Sequence, residues 1–383
     1  MKAHKILLQL LLIFCLINAE STISEINRHH VDGSKSILLL SKDRFLIWDK
    51  LIVLIDNQII YRESEGQIIN VISNSDDQNP AAAIITSDFS QEKPLSIRIL
   101  DNNGKTNLLP QINRPLDTGI PKILILNQKL LLMRPENQQI QFYHIDGSLS
   151  DVFDLFVEKS WDHEKQIFST RDVQHNLYLL GMKSADLNNS LNVSLFKMEN
   201  KPIWLLDIPL TVPYYFSMSN KNMIAIVGTI GVSNTYEQVP ILIFLDQNQQ
   251  NINEPVELKK LPQKTLWVGD KYFLIYRDRI IIYSSEINRQ PNEIKFNSPI
   301  NPFEAFAINE SVFIVSSREI GADQEGNFYS SIDLVEFNQT THSISSVPLQ
   351  DGPIRKVEYF PSGRTNDFYL RLDSQLVQFR IAK

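Results

Sequence analysis

The sequence predicts an all-β protein, and more specifically a β-propeller. Strand pairs joined by a short polar corner recur along the chain, and three clear copies occupy residues 51–61, 272–283 and 368–379. Eight such pairs follow one another at an average spacing of about 46 residues, which fits the roughly 40–50 residues of a four-stranded blade. Seven blades are the first choice and eight the second. Two β-sandwich domains, divided near Pro209 or Pro213, are the alternative architecture.

The N-terminal segment has the composition of a secretory signal peptide. A basic start precedes an apolar run from Ile6 to Ile17, and Ala19 ends the run with a small residue. The run is shorter than the roughly twenty residues that a membrane span needs, although a short retained anchor is the alternative. We therefore expect cleavage near Ala19, so that residues 1–19 are removed and residues 20–383 form a single propeller domain that is secreted or periplasmic.

The two ends of the mature chain are expected to meet in one blade. The last strand pair ends at the C-terminus, around residues 379–381, and residues 36–40 provide a spare apolar strand. A ring of blades leaves only short strand edges, whereas an open sheet has long ones that promote aggregation. We predict that the N-terminal strand completes the final blade.

Between these ends, continuous apolar runs predict strands sandwiched between neighbouring sheets, and the more alternating strands that follow them suit half-exposed outer positions. Residues 223–229 read as an inner strand buried on both faces, with residues 239–245 as its neighbour. Residues 311–317 and 331–337 form a similar pair across a longer loop. Residues 151–165 carry the best helical signal, but a strand followed by a loop explains them equally well.

Charge and cysteine content exclude several classes of function. The formal net charge is −7 and no cluster of Lys and Arg is present, so the chain lacks the electrostatic footprint of nucleic-acid binding. It also lacks a polybasic membrane patch, and no later stretch is long and apolar enough for a membrane span. The only cysteine, Cys15, lies in the signal segment, so the mature chain has neither a disulfide nor a thiolate site. A secreted chain without disulfides favours a bacterial envelope or extracellular protein.

No motif has the spacing that a particular chemistry requires. Ser41, Asp43 and Trp48 match part of the Asp-box of sialidase-like propellers, but Phe45 and Ile47 replace its Gly and Thr. No two of the seven histidines have the spacing of a helical zinc site. Catalytic residues therefore stay unknown, and we predict neither a metal site nor a cofactor.

Four other segments carry polar or aromatic side chains, and for each of them we favour a structural role over a functional site. We interpret them as a solvated pair at His29 and His30, a loop or helix end at residues 161–164, an exposed hairpin loop at residues 323–327, and strand core at residues 214–216.

The leading hypothesis is an exported, monomeric propeller that acts as a binding or scaffold protein for another protein or a glycan. The layout resembles that of periplasmic assembly propellers, although their repeat motifs are absent. The alternative is a carbohydrate-active hydrolase or lyase that gathers acids from several blades at the mouth of the channel. A structure can discriminate between the two hypotheses. Three or more carboxylates or histidines close together in the channel favour the enzyme, whereas an exposed apolar patch on one face favours the binding protein.

Overall fold

The structure is a computed structural model of the chain. It describes residues 22–32, 34–41, 43–55, 58–73, 82–88, 96–101, 105–109, 122–126, 129–134, 139–144, 146, 148–154, 168–171, 176–183, 192–199, 201–231, 237–246, 251–252, 254–284, 290–322, 328–351, 354 and 356–382.

The described residues form 33 β-strands in eight antiparallel sheets, which are the blades of a β-propeller. The first strands in chain order are β1 (Thr22–His30), β2 (Ser36–Ser41), β3 (Arg44–Trp48), β4 (Ile52–Ile55), β5 (Gln58–Arg62), β6 (Gly66–Ser73), β7 (Ala82–Asp88), β8 (Ser96–Leu100), β9 (Thr106–Leu108), β10 (Lys122–Leu126), β11 (Lys129–Arg134), β12 (Gln139–His144), β13 (Leu149–Asp154), β14 (Phe168–Arg171), β15 (Leu177–Lys183), β16 (Asn192–Met198) and β17 (Pro202–Ile208). The remaining strands are β18 (Val212–Met218), β19 (Met223–Gly231), β20 (Gln238–Asp246), β21 (Asn251–Ile252), β22 (Val256–Glu257), β23 (Lys264–Val268), β24 (Lys271–Ile275), β25 (Arg279–Ser284), β26 (Asn292–Lys295), β27 (Asn301–Ile308), β28 (Ser311–Ala322), β29 (Phe328–Asn338), β30 (Ser343–Asp351), β31 (Val357–Pro361), β32 (Asp367–Leu372) and β33 (Gln375–Ala382).

The blades follow the chain from the N-terminus to the C-terminus. Blades 1 to 4 consist of β2–β5, β6–β9, β10–β13 and β14–β17. Blades 5 to 7 consist of β18–β22, β23–β26 and β27–β30, and in blade 5 the two short strands β21 and β22 share the outer position beside β20. Blade 8 consists of β31, β32, β33 and the N-terminal strand β1. In the described part of the chain, no helix is long and apolar enough to cross a membrane.

The chain divides into two compact units. The larger comprises residues 34–295 and contains blades 1 to 6, and the smaller comprises residues 1–33 and 296–383 and contains blades 7 and 8. Within the larger unit β2 lies beside β6, β6 beside β10, β14 beside β18 and β18 beside β23, and within the smaller unit β27 lies beside β31. The first strands of consecutive blades therefore meet, so they are the inner strands, and the strands at the other end of each sheet are the outer ones.

Apolar side chains from the central strands fill the space between blades. Ile224 and Ile226 of β19 pack toward blade 4, whereas Ala225 and Val227 pack with Tyr272 of blade 6. This alternation follows from the two-residue period of a strand. It confirms the prediction that residues 223–229 are buried on both faces, although they form the second strand of blade 5 and not the inner one.

The structure has eight blades, whereas the sequence analysis put seven first and eight second. The eight recurring strand pairs are the reason, because each one falls in a different blade. The prolines proposed as a boundary between two sandwiches, Pro209 and Pro213, lie at the junction of β17 and β18 inside the larger unit. Residues 151–154 belong to β13, which favours the strand over the helix, and residues 155–165 lie outside the described residues.

An N-terminal strand does complete the last blade, but it is β1 and not residues 36–40. β1 pairs antiparallel with β33, with Thr22 opposite Ala382 and His30 opposite Gln375. Residues 36–40 belong to β2, the inner strand of blade 1. The composition of β1 hides it in the sequence, because residues 24–30 are all exposed and form no apolar stripe.

Candidate protein-interaction surface

The outer strands carry most of the exposed large hydrophobic side chains of the described residues. Seven of the nine lie on outer strands, and Leu51 and Tyr214 are the other two. The seven are Ile26, Ile59, Leu108, Leu149, Val152, Trp204 and Ile344. Trp204 on β17 of blade 4 is the most exposed of them, at 57%. Large aromatic side chains that remain in solvent are typical anchors for a binding partner.

A β-bulge sets the direction in which the Trp204 side chain points. Leu206 lies opposite Leu195 and Trp204 lies opposite Phe196, so Leu205 is an extra residue in β17. On a regular strand, residues 204 and 207 would lie on opposite faces because they are three positions apart. The bulge therefore places Trp204 and Asp207 on the same face, which is the face that carries Phe196.

Hydrogen bonds hold the Trp204 ring in this position. Nε1 of Trp204 donates to Oδ1 of Asp207 over 3.2 Å, and the Ser194 hydroxyl donates to the same oxygen. Ser194 is buried, so one end of this short network is fixed in the sheet. The indole ring is thus oriented before a partner arrives, which reduces the entropy lost on binding.

The face of blade 4 that carries Trp204 packs against blade 3. Phe196 and Met198 belong to one buried cluster with Phe142 of blade 3, and Phe153 on β13 packs against that cluster. The Phe142 and Phe153 rings meet edge to face with their centroids 5.6 Å apart. Trp204 therefore lies at the outer end of the boundary between blades 3 and 4, beyond the last buried aromatic residues.

A second polar cluster lies in blade 8 and connects three strands. The carboxylate of Asp367 accepts hydrogen bonds from Arg380 Nε and Nη2 over 2.8 and 2.9 Å, and from Gln378 Nε2 over 3.3 Å. Gln378 Oε1 in turn accepts a hydrogen bond from Asn27 Nδ2 of β1 over 3.4 Å. The hydrogen bonds from Arg380 lower the pKa of Asp367. Because its members bond to one another across adjacent strands, this cluster holds β1 in place.

The other polar side chains singled out from the sequence lie partly on described strands and partly outside the described residues. In the ranges that the structure describes, no three His, Cys, Asp or Glu side chains form a group that could hold a metal ion. His29 and His30 are exposed on β1. Residues 161–164 and 323–327 lie outside the described residues.

The two remaining candidate segments are parts of strands and turns. Ser41 ends β2, Trp48 ends β3, and Asp43 between them adopts a φ of 62°, so the partial Asp-box is a tight turn. Residues 214–216 belong to β18, the inner strand of blade 5, which confirms the predicted strand. They are not core as predicted, because Tyr214 is exposed and its two neighbours are half-buried. Tyr215 is partly buried there and its hydroxyl donates to the Gln263 carbonyl over 2.7 Å.

Sequence analysis did not identify Trp204 as a candidate. The only sequence signal for this site was the apolar run of β17, which contains no charged residue before Asp207. It could not reveal which face the indole occupies, because that depends on the bulge at Leu205.

Comparison with known proteins agrees with this architecture. No protein-family model and no curated protein sequence matches the chain. Among solved structures, BamB from Moraxella catarrhalis is similar with a TM-score of 0.51 and 13% identity, over 94% of this chain and 98% of BamB. Sqt1 from Saccharomyces cerevisiae is similar with a TM-score of 0.53 and 10% identity, over 94% of this chain and 99% of Sqt1. Both are β-propellers, and at these identities the similarity shows the fold alone.

Proposed function

We propose that this chain is a non-enzymatic β-propeller that binds another protein, as a binding or scaffold component, through the outer side of blade 4. Trp204 is the observation that carries the proposal, because it is 57% exposed and yet held by a hydrogen bond to Asp207. Tryptophan is enriched among the few residues that supply most of the binding energy at protein interfaces. Its ring is large and apolar, and its N–H is already satisfied here, so covering it removes apolar surface from water without leaving a donor unpaired.

The proposal also covers where the protein acts. The composition of residues 1–19 supports export, with the mature chain beginning at Glu20, two residues before β1. The net charge of −7 supports a soluble, monomeric chain in the absence of its partner. N-terminal sequencing of the protein from its native source is expected to start near Glu20, and an intact Met1 would contradict export.

Trp204→Ala tests the binding surface directly. Wild-type protein and the variant are immobilised at equal density and exposed to extract from the native source, and captured proteins are quantified by mass spectrometry. We expect proteins captured by the wild type to bind the variant roughly tenfold or more weakly, as for loss of an anchor residue. Ile59→Ala is the matched control, because Ile59 is 51% exposed on the outer strand of blade 1.

Two outcomes contradict the proposal. If Trp204→Ala captures the same proteins as strongly as the wild type, the outer side of blade 4 is not the contact surface. An aromatic ring beside a carboxylate also suits a sugar, so both proteins are applied to a glycan array in parallel. Binding confined to glycans, with loss in Trp204→Ala, would replace the protein partner by a carbohydrate.

A further inference from the structure

We infer that the outer edge of β17, which pairs with no further strand among the described residues, accepts an extended segment of the partner as an additional antiparallel strand of blade 4. We also infer that this segment begins with a basic residue, continues with apolar residues and ends with an acidic one. The inference rests on the proposed function and specifies the chemistry of the partner at the same surface.

The edge of β17 is unusual among the outer strands. Natural sheet edges are commonly protected by short length, charged side chains, proline or bulges. β9 has three residues and β21 and β22 have two each, whereas β26 carries Glu293 and Lys295. β1 carries Glu25 and Arg28, and Pro348 lies inside β30. β13 carries Asp151, and β5 has only five residues and ends at Arg62.

β17 has little of this protection. It runs for seven residues, and the five from Pro202 to Leu206 carry no charge. Its proline is the first residue, where the missing N–H does not interrupt the edge. The bulge at Leu205 does not distinguish β17, because β1, β5, β13 and β30 have one-residue register shifts of the same kind.

The side chains of β17 leave apolar surface for an added strand to cover. Ile203, Leu205 and Leu206 are only half-buried, and Trp204 is exposed. A peptide that adds to a sheet edge gains main-chain hydrogen bonds along its length, and its alternate side chains supply specificity. The oriented Trp204 ring provides one such contact beside the new strand.

Charges at the two ends of β17 define the direction of the added segment. Lys201 is exposed immediately before the strand and Asp207 lies near its end. Every pairing in blade 4 is antiparallel, and antiparallel pairing is slightly more stable per residue than parallel pairing. In that arrangement the first residue of the segment lies opposite Asp207 and the last lies opposite Lys201. Opposite charges at these positions stabilise the pair and like charges destabilise it, which gives the order basic, apolar, acidic.

Capped synthetic peptides test the inference with the full-length protein. The forward peptide is Arg-Val-Thr-Val-Thr-Val-Glu, and the reversed peptide, Glu-Val-Thr-Val-Thr-Val-Arg, has the same composition. Fluorescence anisotropy of labelled peptides measures affinity, and hydrogen exchange at saturating peptide locates the contact. We expect the forward peptide to bind several-fold more tightly than the reversed one, with slower exchange confined to residues 203–208.

Reversing the charge at Lys201 tests whether this residue contacts the added segment or only stabilises the blade. A third peptide ends in Lys instead of Glu and is otherwise identical to the forward peptide. Wild-type protein is expected to prefer the Glu-terminated peptide, and Lys201→Glu is expected to prefer the Lys-terminated one. Trp204→Ala is expected to weaken all three peptides, whereas Ile59→Ala leaves their affinities unchanged.

Four results would overturn the inference. Equal affinity for the forward and reversed peptides would contradict the proposed antiparallel direction of pairing. Slower hydrogen exchange on another outer strand would show that the peptide binds there and not at β17. Protection of residues 203–208 that grows with protein concentration in the absence of peptide would show that a second copy of the chain occupies the edge. If the peptides fail while Trp204→Ala still loses its captured proteins, strand addition is wrong and the proposed function stands.

Discussion

Asp367 shows how one buried carboxylate stabilises the outer part of blade 8. It is 4% exposed and accepts hydrogen bonds from Arg380 and Gln378, and Gln378 continues the network to Asn27 on β1. A buried carboxylate is costly unless it is paired and hydrogen-bonded, and here both conditions are met. Arg380 is itself 45% exposed, so solvent screens part of the attraction between the two charges.

This pairing predicts a specific dependence of stability on pH. The folded-state pKa of Asp367 lies below its ordinary value, so the carboxylate contributes stability above the unfolded pKa of about 3.9 and loses it as the pH falls through the folded pKa. We expect Asp367→Asn to lower the free energy of unfolding at pH 7 by about 1–3 kcal/mol. The variant is also expected to lose less stability than the wild type between about pH 5 and pH 2.

Urea unfolding at a series of pH values checks both parts of this prediction. Asp270→Asn is the control, because Asp270 is 46% exposed and forms only a surface ion pair with Lys221 over 3.3 Å. Equal acid dependence in Asp367→Asn and the wild type would contradict the assignment.

At the scale of single elements, Gly228 on β19 is fixed by the close approach of its neighbours. A Cβ atom there would lie 2.7 Å from the backbone oxygen of Val212 and 2.9 Å from Leu210 Cδ2. Because one of these atoms belongs to the backbone of the inner strand β18, relief of the contact would require the two strands to move apart. In a chain with only 13 glycines, this one is required by packing between strands.

We expect Gly228→Ala to lower the free energy of unfolding by about 1–3 kcal/mol, the usual cost of overpacking a core. Gly231→Ala is the matched control on the same strand, because its nearest contact is a side-chain atom and not backbone, with Thr211 Oγ1 3.3 Å from the added atom. Chemical denaturation of the two variants measures the difference. Equal stability of both variants would show that the strands adjust at no cost.

The elements also show which parts of the fold could be read from the sequence. The central strands β19, β20 and β28 were predictable because they are buried on both faces and contain continuous apolar runs. β29 is buried as well but carries Asp333 and Glu336, so its alternating pattern predicted a half-exposed outer strand where the structure has a central one. Outer strands are half solvated, so β1 contains enough polar residues to escape the pattern. The first repeated hairpin is β4 and β5, the outer pair of blade 1, whereas the other two are central pairs of blades 6 and 8. The hairpin pattern thus predicted correctly which strands pair, but not which position each pair occupies within its blade.

The candidate site was harder to predict than the fold. Trp204 can be recognised as a candidate only when the face of the sheet on which its side chain lies is known. A single extra residue at position 205 determines that face. A hydrophobic pattern cannot reveal a one-residue bulge of this kind, because the apolar run of β17 has the same composition whether or not a bulge is present.

At the scale of the whole molecule, completion of blade 8 by β1 predicts a large loss of stability when that strand is removed. Deletion of residues 20–30 would leave β33 unpaired on one side along its eight residues. We expect the melting temperature to fall by at least about 5 °C, because several kcal/mol of pairing and packing are lost. Differential scanning calorimetry measures the change.

Complementation in trans makes this test more specific. A synthetic peptide of residues 20–32 is expected to raise the melting temperature of the deletion protein, and a scrambled peptide of the same composition is the control. An unchanged melting temperature after the deletion would mean that blade 8 is stable with three strands.

The pairing of β1 with β33 has a consequence for biosynthesis. Asn27 and its partner Gln378 are separated by 351 positions, so β1 leaves the ribosome long before the strand that it pairs with has been made. Joining such distant segments has a high entropic cost and slows folding. A prematurely terminated product can never form this pairing, which gives cellular proteases a structural means of distinguishing incomplete chains from finished ones.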